Sequence, residues 1–201
     1  EPLGVLFSGG VDSGAVLMSL YHALLESGRS PSRLKAFTLA VDGRGLDVEQ
    51  ARAFLRRLDL EMLLEVVDVA SDDLDPFEAV KIIEDYKPLD VECATVGLAL
   101  LRGIRRRYPA WRLLLDGDGG DENLKDYPLE DHQELTIRSV VSNSMLYQEG
   151  WGVDAIKHSL TYSGGFSRAC VRTYAPAHLL GFAGLSPFSR PAIIGVAEAA
   201  P

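Results

Sequence analysis

The stretch of sequence that decides the fold is residues 3–13, LGVLFSGGVDS. Residues 3–7 form a continuous apolar run, which predicts a buried strand, and the glycines that follow predict a tight turn. Residues 14–26 then carry apolar side chains at helical spacing. This succession directs backbone N–H groups and a helix N-terminus toward the same point, so the sequence indicates an anion-binding site after the first strand.

The same alternation of strands and helices continues along the chain. Further strands are predicted at 34–41, 63–69 and 112–116, and further helices at 47–58, 75–85 and 91–107. Because parallel strands need crossover connections, this alternation predicts an α/β fold with a doubly wound, mainly parallel sheet. Beyond residue 133 the pattern is helical and irregular with no clear strand. We therefore expect one domain, 1–201, with its sheet in about 1–130 and a helical C-terminal extension in about 131–201.

Composition and charge restrict the class of protein. The 20 Lys and Arg residues and the 29 Asp and Glu residues give a formal net charge of −9, which argues against a nucleic-acid binder. No apolar run reaches the ~20 residues of a membrane span and no signal segment begins the chain, so a cytoplasmic protein is expected. The chain starts at Glu1 without a methionine and enters a strand at once, and we expect polypeptide to be missing at both ends.

The first glycine loop, residues 8–13 (SGGVDS), has the chemistry of a phosphate site. Glycines let the backbone approach a phosphate closely, two serine hydroxyls add donors, and Asp12 can hold a Mg²⁺. The loop lacks the Gly-Lys-Ser/Thr ending of a Walker A motif and the Gly-x-Gly-x-x-Gly of a dinucleotide-binding turn. The alternative interpretation is a plain strand–turn–helix with a good helix start.

A second glycine loop, residues 117–122 (GDGGDE), follows the strand predicted at 112–116. In an open parallel sheet, ligands bind outside the carboxyl ends of the strands, at the point where the strand order switches. Both glycine loops lie at such ends. Carboxylates from two neighbouring strand ends can hold a metal ion against phosphate oxygens.

Together the two loops resemble a known family. SGGVDS is similar to the pyrophosphate loop of the ATP pyrophosphatases, and GDGGDE is similar to the Gly-Glu-Gly-x-Asp-Glu signature of their asparagine synthetase branch. Residues 172–174 and 185–188 resemble that branch's Arg-Val-Pro-Phe-Leu-Asp region. The resemblance spans residue 3 to about 201. It implies a Rossmann-like fold of the adenine nucleotide alpha-hydrolase type.

The resemblance also implies roles for particular residues. It places around ATP and its pyrophosphate the residues Ser8, Gly9, Gly10, Asp12, Ser13 and Gly117. The second strand would contribute backbone contacts to adenine at Leu39 and Val41. Asp12 and Asp121 would be the ligands of Mg²⁺, and Lys125 is a candidate contact for phosphate or for a substrate carboxylate, with an exposed loop lysine as the alternative.

Asp118 is the catalytic candidate, because it stands where the family has a glutamate that helps to deprotonate the amine nucleophile. Aspartate is one methylene shorter than glutamate. A base must come within about 2.6–3.2 Å of the atom that carries its proton, so this departure bears on either the role or the substrate. The alternative interpretation is a turn residue that hydrogen-bonds to its own backbone.

The implied activity is that of an AMP-forming carbon–nitrogen ligase that uses ATP and Mg²⁺. A carboxylate, most simply the β-carboxylate of aspartate, would be adenylated with release of pyrophosphate and then amidated by ammonia or glutamine-derived ammonia. A glutaminase domain in the same or another chain would make it an amidotransferase, and a homo-oligomer is open, whereas no nucleic-acid or membrane partner is expected. The alternatives are another ATP pyrophosphatase, such as a tRNA-modifying or NAD/GMP synthetase-like enzyme, and an ATP-binding paralog with altered chemistry.

Overall fold

The computed structural model describes residues 1–84, 88–120, 128–129, 132–136 and 169–199. The strands in these ranges are β1 (Leu3–Leu6), β2 (Leu34–Val41), β3 (Leu64–Val69), β4 (Leu113–Leu115), β5 (Pro128–Leu129), β6 (His132–Thr136) and β7 (Ala183–Leu185). The α-helices are α1 (Val11–Glu26), α2 (Leu46–Arg56), α3 (Pro76–Ile83), α4 (Pro88–Arg107), α5 (Ala175–Leu179) and α6 (Pro191–Ala199). A π-helical turn, Ala169–Tyr174, precedes α5, and short 3₁₀ turns lie at Pro31–Arg33, Glu61–Leu63, Ser71–Asp73 and Pro187–Ser189.

A five-stranded parallel sheet in the order β3-β2-β1-β4-β7 forms the centre of the fold. From β1 the chain adds β2 and β3 on one side and later returns to add β4 and β7 on the other. Val5 of β1 is accordingly paired with Ala36 of β2 and with Leu115 of β4. The strand order therefore switches between β1 and β4, and the α/β fold with a doubly wound parallel sheet is confirmed.

Apolar side chains cover both faces of the sheet because successive residues of a strand point to opposite faces. Ala36 packs in a cluster with Leu17 of α1 and Leu55 of α2. Its neighbour Phe37 packs instead in a second cluster, with Leu101 of α4. Each fully buried large apolar side chain contributes about 1.5–3 kcal/mol, so these two layers fix the strand ends in place.

The expectation of no clear strand after residue 133 is wrong. Ala183–Leu185 forms β7, which pairs in parallel with β4 over the whole length of that strand. In addition, β5 and β6 form a two-stranded antiparallel ladder. The sequence pattern misses β7 because Ala-Gly-Leu has only three residues and little strand propensity, so its pairing with β4 determines its conformation.

Helix α4 is the longest described helix, with 20 residues. Two of its arginines bind neighbouring elements. Nη1 of Arg107 forms an ion pair with Oε1 of Glu65 in β3 at 2.8 Å, and Nε of Arg105 donates a hydrogen bond to the Leu180 carbonyl at 2.9 Å. The second contact fixes the segment that leads into β7. In the ranges that the structure describes, no helix combines the length and the apolar character that crossing a membrane requires.

Candidate functional site

A cavity of about 410 Å³ opens at the carboxyl ends of β1, β2 and β4, where the strand order switches. Its lining combines both glycine loops, the end of β2 and one face of α4. The described lining residues are Leu6, Phe7, Ser8, Asp12, Ser13, Thr38, Leu39, Asp47, Val96, Leu100, Asp116, Gly117, Asp118, Arg172 and Thr173. The cavity therefore stands at the place where an open parallel sheet binds its ligands.

The first glycine loop presents hydroxyl and N–H groups at the mouth of this cavity. Ser8 Oγ and Ser13 Oγ lie 3.2 Å apart, and the Gly10 N–H donates to Ser8 Oγ at 3.2 Å. Helix α1 begins directly after Gly10, which has no side chain with which to cap the N–H groups of the first turn. Those N–H groups and the positive end of the helix dipole can therefore bind an anion.

Gly9 is required by the backbone of the loop. Its φ of +81° lies in the left-handed region, and a Cβ at this position would lie 2.5 Å from the backbone nitrogen of Ala51 in α2. Any side chain would thus both strain the turn and push the loop away from α2. The position of the candidate anion site depends on this close approach.

Gly9→Ala is expected to destabilise the fold by about 2–4 kcal/mol, because backbone strain and a backbone clash add. The matched control is Gly28→Ala. Gly28 has a similar φ of +68° but open space around it, so only the conformational cost of about 1–2 kcal/mol remains. Urea denaturation measures both changes. Equal destabilisation by the two substitutions would contradict the role of the contact with α2.

The second glycine loop packs directly on the first. A Cβ on Gly117 would lie 2.7 Å from the backbone nitrogen of Ser13, and a Cβ on Gly120 would lie 2.7 Å from Asp12 Oδ2. The carboxylate of Asp12 is thereby placed where the two loops meet. Asp121 and Lys125, the other predicted ligands of metal and phosphate in this loop, lie outside the described residues.

Asp116 ends β4 inside the cavity wall and is only 4% exposed. Its Oδ1 accepts hydrogen bonds from Ser186 Oγ and from the Asp118 N–H, the latter at 3.0 Å. Its Oδ2 has no hydrogen-bond partner among the described residues. Burial, and then the negative charge of Asp118, raise the pKa of Asp116 well above its usual value.

Asp118 is held by residues that are distant in the sequence. Its Oδ2 accepts a hydrogen bond from Thr173 Oγ1 at 2.5 Å, and its Oδ1 lies 3.8 Å from Nη2 of Arg172. Nε of the same arginine lies 3.9 Å from the carboxylate of Asp90 at the start of α4. These contacts differ from the local hydrogen bonding expected of a turn residue. The Asp118 side chain is instead fixed at the cavity wall by the π-helical turn.

Of the two residues of β2 predicted to contact adenine, one lines the cavity and the other does not. Leu39 lines the cavity, whereas Val41 borders a separate depression with Gly43 and Arg44. Asp47, at the start of α2, also lines the cavity, and partial burial raises its pKa. The strand therefore contributes to the cavity through residues before Val41.

The sequence did not single out Thr38 or Asp116 as site residues, and it indicates Arg172 only as part of the family-like segment 172–174, without a role. A signal existed for Asp116, because it is the last residue before a glycine loop at a strand's carboxyl end, where site residues concentrate. For Arg172 the signal was the resemblance of segment 172–174, but no spacing rule indicates its contact with Asp118, which lies on another part of the chain. Thr38 is indistinguishable from a core residue in an apolar strand.

The described residues supply only part of the oxygen ligands that a hard divalent cation such as Mg²⁺ needs. Oxygen ligands from carboxylates suit Mg²⁺, and Asp12 supplies one beside the anion-binding loop. In the described part of the chain, no group of three or more His, Cys, Asp and Glu side chains could hold a metal ion. Substrate phosphates commonly supply further oxygen ligands to Mg²⁺ in nucleotide sites, and Asp121, the other predicted ligand, lies outside the described residues.

Comparison with known proteins identifies the family of the chain. Residues 1–164 match the family model described as asparagine synthase. A search of the curated proteins found no match. The matched segment contains β1–β4, both glycine loops, and the residues Asp12, Asp116 and Asp118. The match covers most of the chain, so the chain belongs to the asparagine synthase family, a family of ATP-dependent amide ligases.

Proposed function

We propose that the chain adenylates a carboxylate with ATP, releases pyrophosphate, and transfers the acyl group to ammonia to give an amide and AMP. The observation that carries this proposal is the direct contact of the two glycine loops at the switch point. In the first step a carboxylate oxygen attacks the α-phosphorus, and the bond to the pyrophosphate oxygen breaks. In the second, ammonia attacks the acyl carbon, AMP leaves and a base takes the proton.

The first loop would bind the pyrophosphate as it leaves. The hydroxyls of Ser8 and Ser13 lie 3.2 Å apart, and the first turn of α1 has no side-chain cap. Fixed donors of this kind stabilise developing negative charge. Asp12, with Asp121 as the resemblance implies, would hold Mg²⁺, which when bound neutralises phosphate charge. Leu6 and Leu39 would form the apolar wall against adenine.

Asp118 would be the proton acceptor for the amine. Its carboxylate is oriented by Thr173 and Arg172, which is the support that a positioned base requires. No nucleophile from the protein is needed, because the adenylate is itself the activated species. Catalysis would then rest on positioning of the two substrates and on stabilisation of the leaving groups. Aspartate is the simplest substrate consistent with the family.

Product analysis with labelled ATP, Mg²⁺, ammonium and candidate carboxylates tests this function. We expect AMP and pyrophosphate in equal amounts, because the loop lacks the Walker lysine and would cradle pyrophosphate as a leaving group. Reactions without a carboxylate are the control and should form neither product. ADP and inorganic phosphate as the main products would contradict the proposal. ATP binding without turnover on any carboxylate would instead favour an ATP-binding paralog.

A further inference from the structure

The buried carboxyl group of Asp116 uses only one of its two oxygens for hydrogen bonds with described residues. Ser186 Oγ and the Asp118 N–H both donate to Oδ1. The other oxygen, Oδ2, belongs to a residue of the cavity wall that is only 4% exposed, and it has no partner in the part of the chain that the structure describes. Buried polar atoms are almost always paired, so this oxygen is expected to pair with a ligand in the cavity.

The hydrogen bonds and charges around Asp116 favour its neutral form. A buried ionised carboxylate needs donors at both oxygens, whereas here only Oδ1 has them among the described residues. Arg172 is the one cation among the described lining residues, and its charge is shared between Asp118 at 3.8 Å and Asp90 at 3.9 Å. A second negative charge beside Asp118 is unfavourable. As a neutral acid, Asp116 accepts at Oδ1 and carries a proton to donate at Oδ2.

The pKa of Asp116 agrees with this pattern. Burial, and then the negative charge of Asp118, raise the pKa well above its usual value. The hydrogen bonds from Ser186 and from the Asp118 N–H lower this pKa, as does the charge of Arg172, but their effects are smaller. The cavity wall holds two further described titratable groups, which are both acids: Asp12 and Asp47.

We propose that Asp116 is neutral and donates a hydrogen bond from Oδ2 to an anionic oxygen of a bound substrate. That oxygen belongs to a phosphate of ATP or to the carboxylate that is adenylated, because both groups offer acceptors and no donor of their own. The inference rests on the proposed function, since it adds a substrate-binding residue to the same site. It also removes an electrostatic difficulty, because the four aspartates that line the cavity would repel two anionic substrates if all four were ionised.

Asp116 stands between the anion-binding loop and the candidate base. It directly follows β4, which pairs in parallel with β1, the strand that leads into the first glycine loop. The next residue, Gly117, approaches that loop so closely that a Cβ would lie 2.7 Å from the backbone nitrogen of Ser13. On the other side, the Asp118 N–H donates to Asp116 Oδ1 at 3.0 Å. A donor at this point is therefore adjacent to both parts of the proposed reaction.

Urea denaturation at several pH values tests the neutral form without any ligand. A carboxyl that is neutral in the native state and ionised in the unfolded state makes the protein less stable as the pH rises, until it also ionises in the native state. Asp116→Asn is neutral at every pH. The unfolding equilibrium constant of the unmodified protein, divided by that of Asp116→Asn, should therefore rise by up to about tenfold per pH unit above about pH 4.

The control for this measurement is Asp72→Asn, which changes an exposed acid and should give a ratio that does not vary with pH. A constant ratio for Asp116→Asn would overturn the proposal. Failure of Asp116→Asn to fold would overturn it as well, because the amide reproduces the hydrogen bonds of the neutral acid at both atoms.

Calorimetry tests the donor, with Mg²⁺ and a non-hydrolysable ATP analogue, first alone and then with L-aspartate. Asp116→Leu removes the donor and should weaken binding about 10–100-fold. Asp116→Asn should restore the affinity to within about threefold, because its amide N–H replaces the acid O–H and its oxygen still accepts in place of Oδ1. A loss with the analogue alone identifies a phosphate as the acceptor, whereas a loss confined to L-aspartate identifies the carboxylate.

An affinity of Asp116→Asn as low as that of Asp116→Leu would overturn the proposal, because it would show that an ionised Asp116 binds a cation or a donor. Unchanged affinity in Asp116→Leu, or binding of neither ligand by the unmodified protein, would overturn it too. If Asp116→Leu does not fold, Asp116→Asn decides: its affinity should match that of the unmodified protein at low pH and exceed it as the pH rises, and a loss of more than about tenfold would contradict the proposal.

These readouts separate the inference from the proposed function. If stability and affinity behave as expected but no AMP forms, the proposed function fails and the donor stands. If AMP and pyrophosphate form while affinity is lost in Asp116→Asn, the proposed function stands and the inference about Asp116 fails.

Discussion

Asp12→Ala is expected to weaken Mg²⁺-dependent ATP binding by about 100-fold, the loss that follows from removing a charged ligand between metal and phosphate. The Asp12 carboxylate lies where the two glycine loops meet, against Gly120. A Cβ on Gly120 would lie 2.7 Å from Asp12 Oδ2, so the second loop approaches this carboxylate closely. Asp12 is also an acidic residue in the first turn of α1, where a negative charge is favourable.

Calorimetric titration of ATP with and without Mg²⁺ would measure this effect. Asp121→Ala should show the same Mg²⁺-dependent loss. Asp72→Ala is the control, because it removes an equal charge from an exposed 3₁₀ turn. Unchanged Mg²⁺-dependent affinity in both Asp12→Ala and Asp121→Ala would show that the metal is held elsewhere.

The sequence predicts the part of the fold that is determined by local patterns. The apolar run before Ser8 and the glycines after it determine a strand, a turn and a helix start within residues 3–13, and the structure forms all three. Because parallel strands end at one edge of a sheet, the two glycine motifs could be expected to lie close together. Gly117 indeed packs on Ser13.

The remaining parts of the site depend on contacts between distant segments. Thr173 reaches Asp118 across 55 positions, and Ser186 reaches Asp116 across 70. The second contact depends on the pairing of β7 with β4, because Ser186 directly follows β7, and β7 is too short to show a strand pattern. The unpaired oxygen of Asp116 is likewise a property of the assembled wall, because both of its described donors bind the other oxygen. No pattern within one segment could indicate it.

Asp118→Asn is expected to reduce amide formation by about 10²–10⁴-fold while the adenylation half-reaction continues. Asn removes the basicity of the side chain and little else. Its amide oxygen can still accept the hydrogen bond from Thr173 Oγ1, and Arg172 keeps Asp90 as a partner. Pyrophosphate exchange measures the first half-reaction, and the yield of amide measures the second.

The comparison of the two half-reactions separates a base from a structural residue. If Asp118 only orders the loop, Asn should leave both steps almost unchanged. If it holds metal or phosphate, both steps should fall together, and that equal loss would refute the role of proton acceptor. Asp118→Glu restores the length found in the family. Thr173 Oγ1 lies only 2.5 Å from the Asp118 carboxylate, so the added methylene of Glu must displace it. If the cavity wall fits only the shorter side chain at position 118, Asp118→Glu should slow amide formation.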